Sequence, residues 1–192
     1  PMTADTTIVL ADDHPIFRHG LEELIERAPG LRVVAVADDG RTALELIASH
    51  TPDVALLDLD MPELDGFAVA RRAGELHLSC HLVILTLHRD ALHLDRAIEL
   101  RKKGVGPDRL LMMVSTEEEH HFANSGCTLP QYWKECERAI KKCNDAGLKM
   151  CGTVSTIWGS PIGGATDMKD AVEFTKRWLE IGVRLAGGGA FA

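Results

Sequence analysis

Short apolar runs alternate with amphipathic stretches along most of the chain. The apolar runs have lengths typical of buried strands and lie at 7–11, 31–37, 54–57, 81–86, 110–115 and 148–157. Between them, apolar residues recur at a spacing of three and four positions, which is typical of helices. These predicted helices lie at 16–28, 42–50, 67–76, 91–103, 129–146 and 168–181. The Gly-rich segment 183–192 gives no single prediction.

The alternation of strands and helices predicts βαβ units, and therefore a parallel sheet with right-handed crossovers. Five to six strands are too few for a closed eight-stranded barrel, so an open, doubly wound α/β sheet fits better. We expect one domain over residues 1–192. In such sheets the functional crevice lies at the carboxyl ends of the strands, which directs attention to the residues that follow each apolar run.

Composition restricts the class of protein. Hydrophobic residues make up 45% of the chain and charged residues 26%, so the chain can fill a core. No apolar run approaches the ~20 residues of a membrane-spanning helix, and we expect no membrane partner. The net charge of −8 argues against a nucleic-acid partner. The five cysteines have no paired spacing, which favours free thiols in a reducing cytoplasm. The oligomeric state stays open.

Carboxylates follow two strands that should be neighbours. Asp12 and Asp13 come directly after the first strand, and Asp58 ends the third. Three converging carboxylates repel one another, and a hard cation such as Mg²⁺ relieves that repulsion. An aspartate beside Mg²⁺ can also attack phosphorus. The alternative is that Asp12 or Asp13 caps a helix beginning at Pro15, which accounts for only one of the three carboxylates.

Three motifs in order carry a family resemblance. The runs VLADDHP at 9–15, DLDMP at 58–62 with Gly66, and ILT at 84–86 resemble a bacterial response-regulator receiver domain over residues 6–101. The resemblance implies a flavodoxin-like fold with strand order 2-1-3-4. It implies Asp58 as phosphoacceptor and Thr86 as the switch hydroxyl. It also implies Mg²⁺ held by Asp13, by Asp12 through water, and by the backbone carbonyl of Asp60. A histidine kinase or a small phosphodonor would be the partner.

The sequence departs from that family at the fifth strand. A receiver places a phosphoryl-binding lysine at its end, whereas this chain has Met112 or Met113 there, and methionine carries no charge. Lys102 and Lys103 lie earlier, and we expect them to be solvated. The departure brings phosphorylation and switching at Asp58 into question.

Residues 107–182 differ from the first part of the chain. All eight lysines lie after residue 101, which suggests a junction near 101–106. The runs at 111–116, 147–156 and 158–164 are similar to two β/α units of a hydroxymethylglutaryl-CoA-lyase-like TIM barrel. The residues that bind metal in that family do not occur at the corresponding positions of this chain. The adjacent His120 and His121 make a poor chelate. We therefore expect no enzyme. The loop 159–166 is either an anion site or, by preference, an ordinary loop.

Two resemblances in one chain favour an engineered chimera as the leading interpretation. A receiver-like segment, 6–101, would be joined to barrel-derived units, 107–182, that continue its sheet, and the tail 183–192 would be the end of a receiver's last helix or a flexible tail. Such a protein would have no evolved function, and its residual chemistry would be weak Mg²⁺ binding and slow phosphorylation at Asp58. One alternative is a natural response regulator phosphorylated on Asp58. A third, less favoured, is a lyase acting on an acyl-CoA or keto acid.

Overall fold

A computed structural model describes residues 5–86, 91–155, 166–183 and 185–187. The sequence predicts one domain over 1–192, whereas the chain divides into two compact units. The first comprises Pro1–Leu85 and Glu99–Asp108, and the second Thr86–Ile98 and Arg109–Ala192. No described helix combines the length and the apolar character needed to cross a bilayer.

The first unit is built on parallel strands in the order β2-β1-β3-β4. Its strands are β1 (Thr6–Ala11), β2 (Leu31–Ala37), β3 (Val54–Asp58) and β4 (His81–Thr86), whose last residue is assigned to the second unit. Its helices are α1 (Pro15–Arg27), α2 (Gly40–His50) and α3 (Gly66–Glu75), and α4 (Ala91–Lys102) belongs in part to each unit. This order is the predicted 2-1-3-4 of a flavodoxin-like sheet.

Local signals explain where these helices begin. Asp39 caps α2, because its carboxylate accepts hydrogen bonds from the backbone N–H groups of Arg41 and Thr42, both at 2.8 Å. Asp65 caps α3 in the same way through Ala68 N–H at 2.7 Å. Pro15 opens α1, where its missing N–H costs no hydrogen bond. Each helix therefore starts just after a strand-end loop, which places those loops at one edge of the sheet.

The central strand β1 is fully covered. Val9, Leu10 and Ala11 have no exposed surface, as expected for a parallel strand with helices on both faces. Leu57 on β3 and Ile84 on β4 are equally buried. A continuous apolar strand of this kind fixes the backbone at its carboxyl end, where Asp12 and Asp13 follow.

The second unit has three parallel strands in the order β5-β6-β7. The strands are β5 (Arg109–Ser115), β6 (Lys149–Ser155) and β7 (Leu185–Gly187). The helices are α5 (Glu118–Ser125), α6 (Leu129–Asp145) and α7 (Met168–Glu180). Its core is aromatic. The ring of Trp178 stands edge-on to Trp133 at 4.9 Å and to Tyr132 at 6.3 Å.

Gly152 on β6 makes this packing possible. A Cβ atom at residue 152 would lie 2.5 Å from the indole of Trp178, so only glycine lets α7 approach the strand. Cys136 and Cys143, seven positions apart on one face of α6, are both fully buried.

Two elements were not predicted correctly. Helix α5 lies where the sequence analysis predicts no element, and Glu117 caps it by accepting hydrogen bonds from the N–H groups of Glu119 and His120. The prediction that the tail ends a receiver's last helix is wrong for Leu185–Gly187, which pairs with Cys151–Thr153 as a strand. The described residues therefore contain seven strands rather than five or six. Residues 156–165, most of the predicted anion loop, lie outside the described residues.

Candidate functional site

The carboxylates predicted to converge do so at the carboxyl edge of the first unit's sheet. Ala11 of β1 pairs with Leu57 of β3, so the next residues, Asp12 and Asp58, emerge side by side. The ligand atoms of Asp12, Asp13, His14 and Asp58 all lie within 4.8 Å of one another. The parallel register thus brings residues 46 positions apart into one acidic pocket.

Burial and mutual repulsion both act on these groups. Asp12 is 3% exposed, while Asp13 and Asp58 are half-buried. Loss of hydration raises the pKa of Asp58, and the nearby negative charge of Asp12 raises that pKa further. Burial likewise raises the pKa of Asp12, although a hydrogen bond from the His14 N–H to its Oδ1, 2.7 Å long, opposes the change. The negative charge of the pocket therefore destabilises the folded protein, and a bound cation would reduce that destabilisation.

One buried oxygen in the pocket lacks a hydrogen bond. Asp13 Oδ1 is shielded from water and accepts no hydrogen bond from the described residues. His14 Nδ1 lies 2.8 Å from it, but not in the direction of a hydrogen bond. An acceptor that is buried and unsatisfied fits a role as a cation ligand. Together with the hard oxygen donors of Asp12 and Asp58, it makes the pocket suitable for Mg²⁺.

Backbone contacts hold the loop after β3 against the pocket. The N–H of Gly66 donates to the carbonyl of Leu59 at 2.9 Å. A Cβ atom at residue 66 would lie 2.4 Å from the carbonyl oxygen of Asp58. Asp60 is exposed in this loop, and its negative charge also raises the pKa of Asp58. The proposed ligation by the backbone carbonyl of Asp60 stays a prediction.

The other residues singled out by the sequence lie at the end of β4, on β5 and at the end of α4. Thr86 ends β4 and follows Leu85, the residue paired with Asp58, but its side chain lies outside the described residues. Met112 is 7% exposed within β5, and Met113 is half-buried. Lys102 and Lys103 are exposed, as expected. The structure thus brings together Asp12, Asp13 and Asp58, and it gives no side-chain contact for Thr86.

The histidine pair of the second unit is not arranged as a chelate. His121 is 2% exposed and packs edge-on against Tyr132, with 4.7 Å between ring centroids, whereas His120 is half-buried. Two adjacent positions on α5 point in different directions, as the sequence predicts.

Sequence reasoning missed the role of two neighbours of the carboxylates. His14 approaches Asp12 and Asp13 with its ring, and Arg18 donates a hydrogen bond to the carbonyl of Asp12. The signal for His14 was its position directly after the aspartate pair. The signal for Arg18 was its place one helical turn further along α1.

Comparison with known proteins agrees with this geometry. Over 104 residues the chain is 37% identical to the probable transcriptional regulatory protein NarL of Mycobacterium tuberculosis, covering 54% of this chain and 48% of that protein. It is also 37% identical over 98 residues to the nitrate/nitrite response regulator protein NarL of Escherichia coli, covering 51% and 44%. The chain thus spans about half the length of the curated relatives it matches.

Solved structures lead to the same family. The signal receiver domain of the response regulator NarL from Mycobacterium tuberculosis is similar with a TM-score of 0.53 and 34% identity, over 57% of this chain and 85% of that one. A LuxR-family two-component response regulator from Aurantimonas has a TM-score of 0.51 and 33% identity, over 57% and 74%.

These comparisons support the receiver part of the sequence interpretation and give no support to a lyase-barrel fragment or a chimera. They favour the alternative of a response regulator over the leading interpretation. Residues 8–105 match the response regulator receiver domain, and the chain therefore belongs to that family.

Proposed function

We propose that this chain is the receiver of a NarL-type two-component response regulator and accepts a phosphoryl group on Asp58. The observation that carries the proposal is the convergence of Asp12, Asp13 and Asp58 within 4.8 Å at the end of β3. The likeness to the two NarL proteins supports the same function. We propose a histidine kinase or a small phosphodonor as the donor, and no turnover of a substrate by the chain itself.

In the reaction, a carboxylate oxygen of Asp58 attacks phosphorus. The bond from phosphorus to the donor's nitrogen or oxygen breaks, its electron pair leaves with the donor, and an acyl phosphate remains on Asp58. Asp12, Asp13 and Asp58, with the carbonyl of Asp60, would hold Mg²⁺. The ion, when bound, neutralises charge on the phosphoryl oxygens.

The protein's own residues orient the nucleophile. The β1–β3 register fixes Asp58 beside Asp12, and the close approach of Gly66 fixes the carbonyl of Asp58. Thr86, at the end of the strand paired with β3, would turn toward the phosphoryl group as the switch hydroxyl.

The test is incubation of the full chain with Mg²⁺ and acetyl phosphate, followed by intact-mass measurement. We expect the mass of one phosphoryl group to be added to the wild type and not to Asp58→Asn. Asp53→Asn is a matched control, because Asp53 is an exposed aspartate at the opposite end of β3 and should leave the adduct intact. A wild type that gains no mass would overturn the proposal.

A second candidate keeps the chimera interpretation, in which barrel-derived units continue a receiver scaffold that transmits no signal. One observation favours it: methionine stands where a receiver has lysine. Amide spectra distinguish the two. Phosphorylation shifts that extend into residues 107–182 favour the response regulator, and shifts confined to the acidic pocket favour the chimera.

A further inference from the structure

His14 offers the one nitrogen ligand in the cluster of possible metal-binding side chains among the described residues. Its Nδ1 lies 2.8 Å from Asp13 Oδ1 and 3.5 Å from Asp12 Oδ1. The side chain is 75% exposed and sits at the N-cap of α1, yet it caps no N–H group of that helix. Helix formation therefore does not explain why the imidazole stands over the carboxylates.

The distances between the ligand atoms are close to those found around a single ion. Adjacent ligands of an octahedral ion with bonds of ~2.1 Å lie ~3 Å apart, and opposite ligands lie ~4.2 Å apart. The pair formed by His14 Nδ1 and Asp13 Oδ1 has the spacing of adjacent ligands. The whole set lies within 4.8 Å, so its most distant atoms would have to close in by up to about 0.6 Å around an ion. The two atoms lie close together without a hydrogen bond between them. Two ligand atoms that both face the same metal ion have this arrangement.

We propose that His14 Nδ1 is a metal ligand of the receiver pocket and that it extends the pocket's selectivity from Mg²⁺ to borderline transition metals such as Ni²⁺. Imidazole nitrogen adds little affinity for Mg²⁺, which prefers oxygen, but it strengthens binding of Ni²⁺ and its neighbours. This inference rests on the proposed function, because it requires the same three carboxylates to hold the ion.

The chain offers a matched control. His19 also lies on α1, is 73% exposed, and pairs with Glu23 at 3.5 Å, away from the carboxylate cluster. His14→Ala and His19→Ala each remove one exposed imidazole from the same helix. Because the His14 side chain makes no capping hydrogen bond, neither change should unfold α1.

The experiment is isothermal titration of the full chain with Ni²⁺ and, separately, with Mg²⁺. We expect His14→Ala to weaken Ni²⁺ binding at least about tenfold, while Mg²⁺ binding changes by less than about twofold. His19→Ala should leave both affinities as in the wild type. Asp58→Asn should weaken both ions, which locates the Ni²⁺ site in the pocket.

Three results would overturn the inference. They are an unchanged Ni²⁺ affinity in His14→Ala, an equal loss for both metals, and wild-type Ni²⁺ binding in Asp58→Asn. Failure of the proposed function looks different, because the wild type would then bind no Mg²⁺ and gain no phosphoryl group, whatever residue stands at position 14.

Discussion

The carbonyl oxygen of Asp58 occupies the space into which a side chain at Gly66 would project, with only 2.4 Å between that oxygen and a Cβ atom built on residue 66. The phosphoacceptor and the first residue of α3 are therefore in backbone contact. A glycine at this position sets how closely the loop after β3 can fold over the acidic pocket.

Gly66→Ala should consequently displace Asp58. We expect a loss of ~1–3 kcal/mol in the free energy of unfolding, as for other overpacked sites, and a phosphorylation rate at least about tenfold lower. Urea unfolding and the rate of mass gain with acetyl phosphate measure the two effects. Gly20→Ala is the control, since a Cβ at residue 20 meets nothing within 4 Å. Equal rates in the two variants would show that the contact with Asp58 does not position it.

Asp58→Asn should stabilise the metal-free protein at neutral pH. Burial and Asp12 raise the folded-state pKa of Asp58 above its ordinary value of 3.8, so ionisation favours the unfolded chain. The wild type thus loses stability as pH rises from about 3.8 through the folded pKa. We therefore expect Asp58→Asn to raise the free energy of unfolding at pH 7, because the variant carries no charge to desolvate beside Asp12. Urea unfolding from pH 3 to pH 8 should show the gain disappearing in acid.

Asp53→Ala should lower the free energy of unfolding at neutral pH, whereas Asp58→Asn should raise it. Asp53 accepts hydrogen bonds from the backbone N–H of Thr7 at 2.8 Å and from its hydroxyl at 2.7 Å, and these bonds lower its pKa. Its contribution is therefore present above the ordinary carboxyl pKa and is lost as pH falls through the lower, folded value. The variant should be less stable than the wild type at pH 7 and should converge with it in acid. A variant as stable as the wild type at pH 7 would contradict this.

Mg²⁺ should raise the unfolding temperature of the wild type. Binding to the folded state alone stabilises it by ~2.7 kcal/mol at an ion concentration 100 times the dissociation constant. Asp13→Asn removes the charge from the unsatisfied oxygen and should abolish most of this increase. Thermal scans with and without 10 mM MgCl₂, a concentration of roughly the order needed for a weak carboxylate site, measure it. An identical increase in both proteins would place the ion elsewhere.

Met112→Lys should not simply restore a receiver's lysine. Met112 is 7% exposed within β5, so the new ammonium group would be buried without a partner. We expect a loss of at least about 2 kcal/mol in the free energy of unfolding. Met113→Lys, at the neighbouring half-buried position, should cost less. If Met112→Lys were as stable as the wild type, the side chain at residue 112 would have to reach water.

The sequence predicted most of the elements and the core of the site, for identifiable reasons. Apolar strands followed directly by Asp12, Asp13 and Asp58 leave few arrangements in a parallel sheet. The position of the His14 ring could not be predicted, because it depends on a side-chain rotamer rather than on spacing. The start of α5 was missed because the three glutamates from Glu117 look solvated in sequence, although the first of them caps the helix. The tail strand depends on pairing with β6, which local pattern does not reveal.

The aromatic packing around Gly152 has a spectroscopic consequence. All three tryptophans, at 133, 158 and 178, belong to the second unit, and the first unit, which contains Asp58, has none. Intrinsic fluorescence therefore reports on one half of the chain only. An emission change that follows phosphorylation of Asp58 would be a direct optical record of communication from the acidic pocket to the tryptophans of the second unit, with no label attached.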